Sequence, residues 1–278
     1  MSWDEATHVQ YKRSRDRYES DVTDEEWEVI RHLLPDPSTR GRPRTTDLRD
    51  VFNAIQYMLA TGCQWRAIPK CFPPFTTVQN YFYAWRASGV FDGMLDGLRE
   101  QARALAGRSG EPTAAAIDSQ SVKTTESGGP AGYDAGKKIK GRKRHVAVDV
   151  EGVPLAIRVH VASVQDRDGA PEVILAMLEK APTVTRLWAD GGYQGPKLAR
   201  ALADLGLADL LEIVQKPKDL TSFTVLYRRW VVERTFAWMS RCRRLAKDFE
   251  RSLSSSLAWS LLAACRFLMR RVARGATA

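Results

Sequence analysis

After Gly110 the hydrophobic pattern of this chain changes period, and that change limits its fold more than any other feature. Upstream, apolar residues recur three and four apart, the spacing of one helix face. Downstream they alternate, or crowd into short runs between turns. "AAAIDSQSVK" (114–123) reads as a strand, and "RKRHVAVDVEG" and "PLAIRVHVAS" as two more, joined by a hairpin turn at "EGVP". "APEVILAMLEKA" is helical in pattern, "VTRLWADGGY" is a short strand broken on two glycines, "PKLARALADLG" is helical and "DLLEIVQKP" a strand. A helix is expected from about Thr224 to Leu245 and another after Leu257. The order β-β-β-α-β-α-β-α-α predicts an α/β fold, a mixed sheet flanked by helices. The low-complexity stretch "SGGPAGYDAGKK" is expected to be a flexible loop between the first two strands.

Ahead of this part, residues 1–20 read as a loose charged arm and residues 21–108 as a helical domain. "TDEEWEVIRHLLP" opens on a capping box, Thr23 with Glu26, and stops at Pro35. "LRDVFNAIQYMLATG" is a second helix, ended by Gly62, and "PPFTTVQNYFYAWRASG" a third, between prolines and Gly89. Three short helices on tight links suggest a helix-turn-helix type of bundle. A further helix from Phe91 to about Ala106 leads into the α/β domain, residues 109–278.

The 278 residues carry a net charge of +9, which points to a polyanionic partner, nucleic acid first. Cys63, Cys71, Cys242 and Cys265 form no C-x-x-C pair, and no histidine completes a zinc site with them. The N-terminus is polar and acidic, unlike a signal peptide. The apolar run "LAWSLLAACRFLM" is too short to span a bilayer. A cytoplasmic, nucleoid-associated protein with no membrane contact is expected.

Three acids stand where chemistry could gather. Asp118 follows "AAAI" on the first strand, Asp190 closes "LWA" before Gly191 and Gly192, and Glu233 lies in the long late helix. Acids at strand ends can converge at a sheet edge, where α/β folds place their sites. Three converging carboxylates need a cation between them, and oxygen-only ligands suit Mg²⁺ or Mn²⁺. Each acid also has a plain alternative: Asp190 as a turn former, Glu233 as the partner of Arg229 one helical turn away. Asp149, Asp166 and Asp168 compete for the same role.

The candidate DNA-contacting residues fall in four groups, three of them basic. Arg229, Glu233, Ser240 and Arg244 share a face if the late helix runs through, which sets a carboxylate among cations suited to phosphate. Arg241 adds to that positive end, where Phe236, Trp238, Leu245 and Phe249 are expected in the core. "GKKIKGRKRH", with Lys137, Lys138, Lys140, Arg142, Lys143 and Arg144, is the densest positive run and an expected phosphate binder. Arg40, Arg42 and Arg44 in "RGRPR" could enter a minor groove. Thr77, Gln79 and Asn80, with Thr76, offer short polar groups near the start of the third helix, where a recognition helix meets base edges.

Taken in order, "WEVIRHLLP", "GRPR", "TGCQWRAIP", "TTVQNYFYAW", "AIDSQSVKTT", "GYDAGKKIKGRKRHVAVDVEG", "ADGGYQG" and "RWVVERTFAWMSRCRRLAKDFE" resemble bacterial insertion-sequence transposases of the DDE type, the IS-five-like group. The likeness covers most of the chain. It implies a ribonuclease-H-like catalytic domain after a helical DNA-binding domain. It also implies that Asp118, Asp190 and Glu233 bind divalent metal, two ions of Mg²⁺ or Mn²⁺. The implied reaction is cleavage at element ends and joining of the freed 3′-OH to target DNA, with double-stranded DNA as partner and a homodimer on DNA. The family's Tyr-Arg-Glu-Lys signature is met by Arg229 and Glu233, but its tyrosine position holds Leu226 and its lysine position Ser240. Arg241 or Arg244 is then left to contact phosphate. Alternatives are a nuclease of the same fold or a DNA-binding protein with a dead site. Trp188, Trp230 and Trp238 are expected in the core rather than stacked on a displaced base.

Overall fold

The central strand of the sheet, β1 (Ala114–Lys123), sets the register of everything around it. The structure, a computed structural model, describes residues 18–36, 44–126, 128–214 and 227–276. β1 runs antiparallel to β3 (Ile139–Asp149), with Asp118 opposite Val146, Gln120 opposite Arg144 and Val122 opposite Arg142. Its other edge pairs in parallel with β5 (Arg186–Ala189), which pairs in parallel with β6 (Leu211–Ile213). The outer edge of β3 takes β2 (Gly132–Asp134) and β4 (Pro154–Val161), both antiparallel. The six-stranded mixed sheet is flanked by helices, an α/β fold of the ribonuclease-H-like kind.

Strand alternation divides the core in two. Ala115 and Ile117 of β1 face α5 (Asp166–Lys180) and α6 (Pro196–Asp204), where Val173, Ile174, Met177, Leu198 and Leu202 pack. Ala116, Val146 and Val148 belong to the other core. There they meet Val232 and Phe236 of α7 (Tyr227–Ser240) and Leu262 of α8 (Leu253–Ala276). The same core takes in the N-terminal helices α1 (Asp24–Ile30), α2 (Leu48–Thr61), α3 (Phe75–Ala87) and α4 (Val90–Leu105). Trp259 of α8, fully buried, stacks on Phe82 of α3 at 4.4 Å.

The helix boundaries follow local chemistry. Thr23 and Glu26 close the capping box on α1. Asp47 caps α2, which stops at Gly62 with φ of +73°, a left-handed conformation that favours glycine. The late helix is shorter than its sequence suggests: α7 ends at Ser240, a tight turn follows at Arg243–Leu245, and α8 begins at Leu253 rather than after Leu257. Residues 224–226 lie outside the described residues.

The expected flexible loop before the second strand contains β2 instead. Asp134 holds it down: its carboxylate accepts from the Ser121 hydroxyl at 2.6 Å and from the N–H groups of Gly136 and Lys137 at 3.0 Å.

The basic run is the larger departure. Arg142, Lys143 and Arg144 are expected on the surface, yet all three are buried, because they lie in the middle of an interior strand. Period two sends Arg142 and Arg144 to the α7–α8 face, and Lys143 and His145 to the α5 face. Arg142 forms a buried ion pair with Asp248 at 2.9 Å and donates to the Pro130 carbonyl. Arg144 donates to the Leu245 carbonyl at 2.9 Å, and burial pulls its guanidinium down to about 10. Lys143 meets Asp166 at 2.9 Å and Asp134 at 3.4 Å. Among the described residues, no helix is long and apolar enough to cross a membrane.

Removing one member of a buried ion pair leaves an uncompensated charge. Arg142→Ala should therefore cost about 3–5 kcal/mol of unfolding free energy. Lys138→Ala, at an exposed position of the same run, should stay within about 0.5 kcal/mol. Denaturant titration of the two variants checks this; equal losses would contradict the burial of the run.

Candidate active site

Parallel pairing brings two of the three candidate acids together. Ala116 of β1 stands opposite Trp188 of β5, and two residues further along each strand come Asp118 and Asp190. Asp118 points to the α7 side of the sheet and accepts from the Ser119 N–H at 2.7 Å. Burial, and next the charge of Asp190, push its carboxyl up to about 6, against the opposing hydrogen bond from Ser119. Asp190 caps the tight turn Gly191–Tyr193, accepting from the Gly192 N–H at 2.8 Å. A Cβ on Gly192 would stand 2.9 Å from Asp190 Oδ1, so glycine leaves room for that carboxylate.

Glu233 comes from α7 and is about half exposed. Arg229, one turn earlier, places Nη2 3.5 Å from Glu233 Oε1 and 3.7 Å from Asp190 Oδ2. The guanidinium thus bridges the helix to the end of β5. At the far end of α7, Gln120 Nε2 reaches Ser240 Oγ at 3.5 Å. Among the described residues, no three Asp, Glu, His or Cys side chains are grouped closely enough to hold a metal ion. The three acids share one edge of the sheet and are linked in pairs, with positive charge from Arg229 and, around Asp118, from Lys137. Chemically the set fits a divalent cation: the ligands are all oxygen, and burial with the Asp190 charge keeps the Asp118 carboxyl raised in spite of Lys137 and Arg229.

The candidate DNA-contacting residues divide by exposure. Lys137 and Lys138, just before β3, and Lys140, near its start, lie exposed, although Lys137 Nζ also donates to the Ser119 carbonyl at 3.0 Å. Arg241 and Asn80 are exposed, and Thr77 and Gln79 half-buried, the latter three on the first half of α3. Arg44 is exposed and donates to the Pro35 carbonyl; Arg40 and Arg42 lie outside the described residues. Arg244 corrects its expectation. It lies past the end of α7, buried against the Trp259 ring, with Nη2 2.5 Å from Glu250 and Nη1 on the Cys63 carbonyl. Of the expected core aromatics, Phe236 is buried but Phe249 is exposed. Trp230 is exposed at 38%, and Arg234 lies between its ring and that of Trp238.

Two neighbours of the aspartates escaped the sequence reading as members of a site: Asp166, named only as a competing acid, and Tyr193. Asp166 opens α5 and accepts from the Ser119 hydroxyl at 2.6 Å. Burial would raise its carboxyl, but His145, Ser119 and Lys143 outweigh that and hold it well below the usual carboxylate range. The alternation of Ser119 and Ser121 opposite His145 and Lys143 is the signal that places a polar cluster on this face.

Two families match the chain. "Transposase DDE domain" covers residues 109–268, more than half of the chain, and "Putative transposase of IS4/5 family" covers residues 22–95. A protein named "Putative transposase for insertion sequence element IS402", from Burkholderia cepacia, is 32% identical over 136 residues, 45% of this chain and 61% of that protein. "Uncharacterized protein y4sN", from Sinorhizobium fredii, is 32% identical over 81 residues, 29% of this chain and 65% of that one. The chain thus spans less than two thirds of the length of these relatives. No solved structure matches it.

The raised Asp118 carboxyl has a consequence for stability. Its folded value exceeds the unfolded one, so its contribution is fully present below about pH 4 and lost as pH rises through about 6. Asp118→Asn, measured by thermal denaturation in chelator, should be more stable than wild type at pH 8. The gap should narrow towards pH 5; a gap that does not change with pH would contradict the burial of this charge.

Proposed function

The chain belongs to the transposase DDE domain family, and from that premise we propose that it cuts DNA at the ends of an insertion sequence and joins the freed 3′-OH to target DNA. The observation that carries this reading is the pairing of Asp118 with Asp190 at parallel strand ends, with Glu233 facing them from α7 through Arg229.

Asp118, Asp190 and Glu233 are the residues that would hold divalent metal, Mg²⁺ or Mn²⁺ and up to two ions. Bound there, the metal would supply Lewis-acid activation of a water or 3′-hydroxyl and neutralise charge on the phosphate. The protein's own residues supply the remainder. The Ser119 N–H orients Asp118, the Gly192 N–H orients Asp190, and Arg229 offers a guanidinium suited to a phosphate oxygen at the same edge. DNA phosphates are met by the exposed Lys138, Lys140 and Arg241, with Lys137 nearer Asp118. Thr77, Gln79 and Asn80 near the start of α3 reach base edges, with Arg40, Arg42 and Arg44 as a minor-groove arm. Because two ends must be held at once, the working form is a homodimer on DNA.

Purified protein with a DNA duplex carrying the element's end, in Mg²⁺ or Mn²⁺, tests this. Asp190→Asn should abolish cleavage and leave duplex binding intact, since it removes a ligand and no phosphate contact. Replacing Lys138 and Lys140 by alanine should weaken binding and reduce the slope of log affinity against log salt by about 2. Cleavage by Asp190→Asn at the wild-type rate would sink the assignment.

A further inference from the structure

Asp118 and Asp190 lie on neighbouring strands, and a third carboxylate stands between the segments that follow them. Asp166 Oδ1 takes the Ser119 hydroxyl at 2.6 Å and Lys143 Nζ at 2.9 Å, and lies 3.7 Å from His145 Nε2. Its Oδ2 turns to the other strand. A Cβ placed on Gly192 would stand 3.2 Å from Asp166 Oδ2 and 2.9 Å from Asp190 Oδ1. Asp166 therefore bonds the residue next to Asp118 with one oxygen, while the other lies close beside the glycine that orients Asp190, where a side chain would crowd it.

What surrounds Asp166 is buried and specific. The Lys143 side chain is only 5% exposed, and its ammonium is shared between Asp166 and Asp134. Asp134 in turn grips Ser121, on the same face of β1 as Ser119. His145 touches His160 Nδ1 to Nδ1 at 3.0 Å, and His160 reaches Glu172 at 2.9 Å. Gly169 makes room for the His145 ring, since a Cβ there would stand 2.7 Å from it. The Tyr193 hydroxyl is buried beside Asp118, Asp166 and Asp190, with the Ser119 side chain also in reach. Burying a lysine and a carboxylate costs several kcal/mol per ion before their attraction is counted, so stability alone is a weak reason for such a pair. Second-layer partners of metal-binding carboxylates do give a reason, because they fix the position of the first layer.

We propose that Asp166 is a positioning residue of the DNA-cleaving site: braced by Lys143, it holds Ser119 on β1 and the Gly191–Tyr193 turn after β5, and so sets the spacing of Asp118 from Asp190. The proposal rests on the reading of those two aspartates as the cation-holding pair. The hydroxyl of Ser119 is the link on one side, so its loss should act on the same quantity as the loss of Asp166.

The test measures Mn²⁺ affinity of the full chain by electron paramagnetic resonance of free Mn²⁺, with kcat and KM for cleavage of end DNA. Asp166→Asn and Ser119→Ala should each weaken Mn²⁺ binding about 10-fold or more. They should lower kcat and leave KM for DNA unchanged, and Ser119→Thr, which restores the hydroxyl, should recover both. Should Asp166→Asn not fold, the two Ser119 variants decide alone. Mn²⁺ affinity and kcat within about twofold of wild type in Ser119→Ala would overturn the proposal, as would equal loss in Ser119→Ala and Ser119→Thr. Asp190→Asn runs alongside. If it loses Mn²⁺ binding while Ser119→Ala does not, the positioning role fails and the cation reading stands. If Asp190→Asn binds Mn²⁺ as wild type does, the cation reading fails and takes the positioning role with it.

Discussion

Four consecutive cationic or ionisable residues, Arg142 to His145, sit inside the sheet, and much of the structure is arranged to receive them. A buried charge is tolerable only where a partner reaches it. The four draw their partners from other parts of the chain: Asp248 for Arg142, Asp134 and Asp166 for Lys143, the Leu245 carbonyl for Arg144, His160 for His145. The segment between α7 and α8 is fastened to β3 through Arg142 and Arg144. The start of α5 and the β2 segment are fastened to it through Lys143. Ser256 also donates to Asp248, which ties the first turn of α8 into the same knot.

The candidate site follows from these attachments. β1 and β5 fix Asp118 and Asp190 by backbone pairing, and the α7 helix, packed on β1 and β3, carries Arg229 and Glu233 to the same edge. Arg229 neutralises charge between the helix and β5, as a cation would. On the opposite face, Asp166 bonds the Ser119 side chain beside Asp118 and is itself paired with Lys143. The two aspartates thus stand on and just past paired strands with a polar layer behind them, which is what a site of fixed geometry needs.

The mixed sheet, the four N-terminal helices and the position of Asp118 on one strand and Asp190 at the end of another were legible, because each depends on local signals: period, caps, turn residues and strand ends. Thr23 and Glu26 announced α1, and Gly62 the end of α2. The burial of Arg142 and Arg144 was not legible. A run such as "KKIKGRKRH" has the composition of a solvated surface, and only the long-range partners Asp248 and Leu245 reverse that reading. Arg244 misled for a related reason: its place on the helical face held only if the helix continued past Ser240, and the chain turns there instead. Asp166 hid in plain view among several acids, since nothing in its own neighbours says that Ser119 and Lys143 come to meet it.

The central claim is that Asp118 and Asp190 hold divalent metal, with Glu233 completing the set. Anomalous diffraction from crystals grown in Mn²⁺ measures it most directly. The account predicts a manganese peak bounded by the Asp118 and Asp190 carboxylates, with Arg229 drawn away from the bridge it makes to Asp190. No peak at saturating Mn²⁺, with Arg229 still between Asp190 and Glu233, would contradict it, and so would a peak bound by other residues.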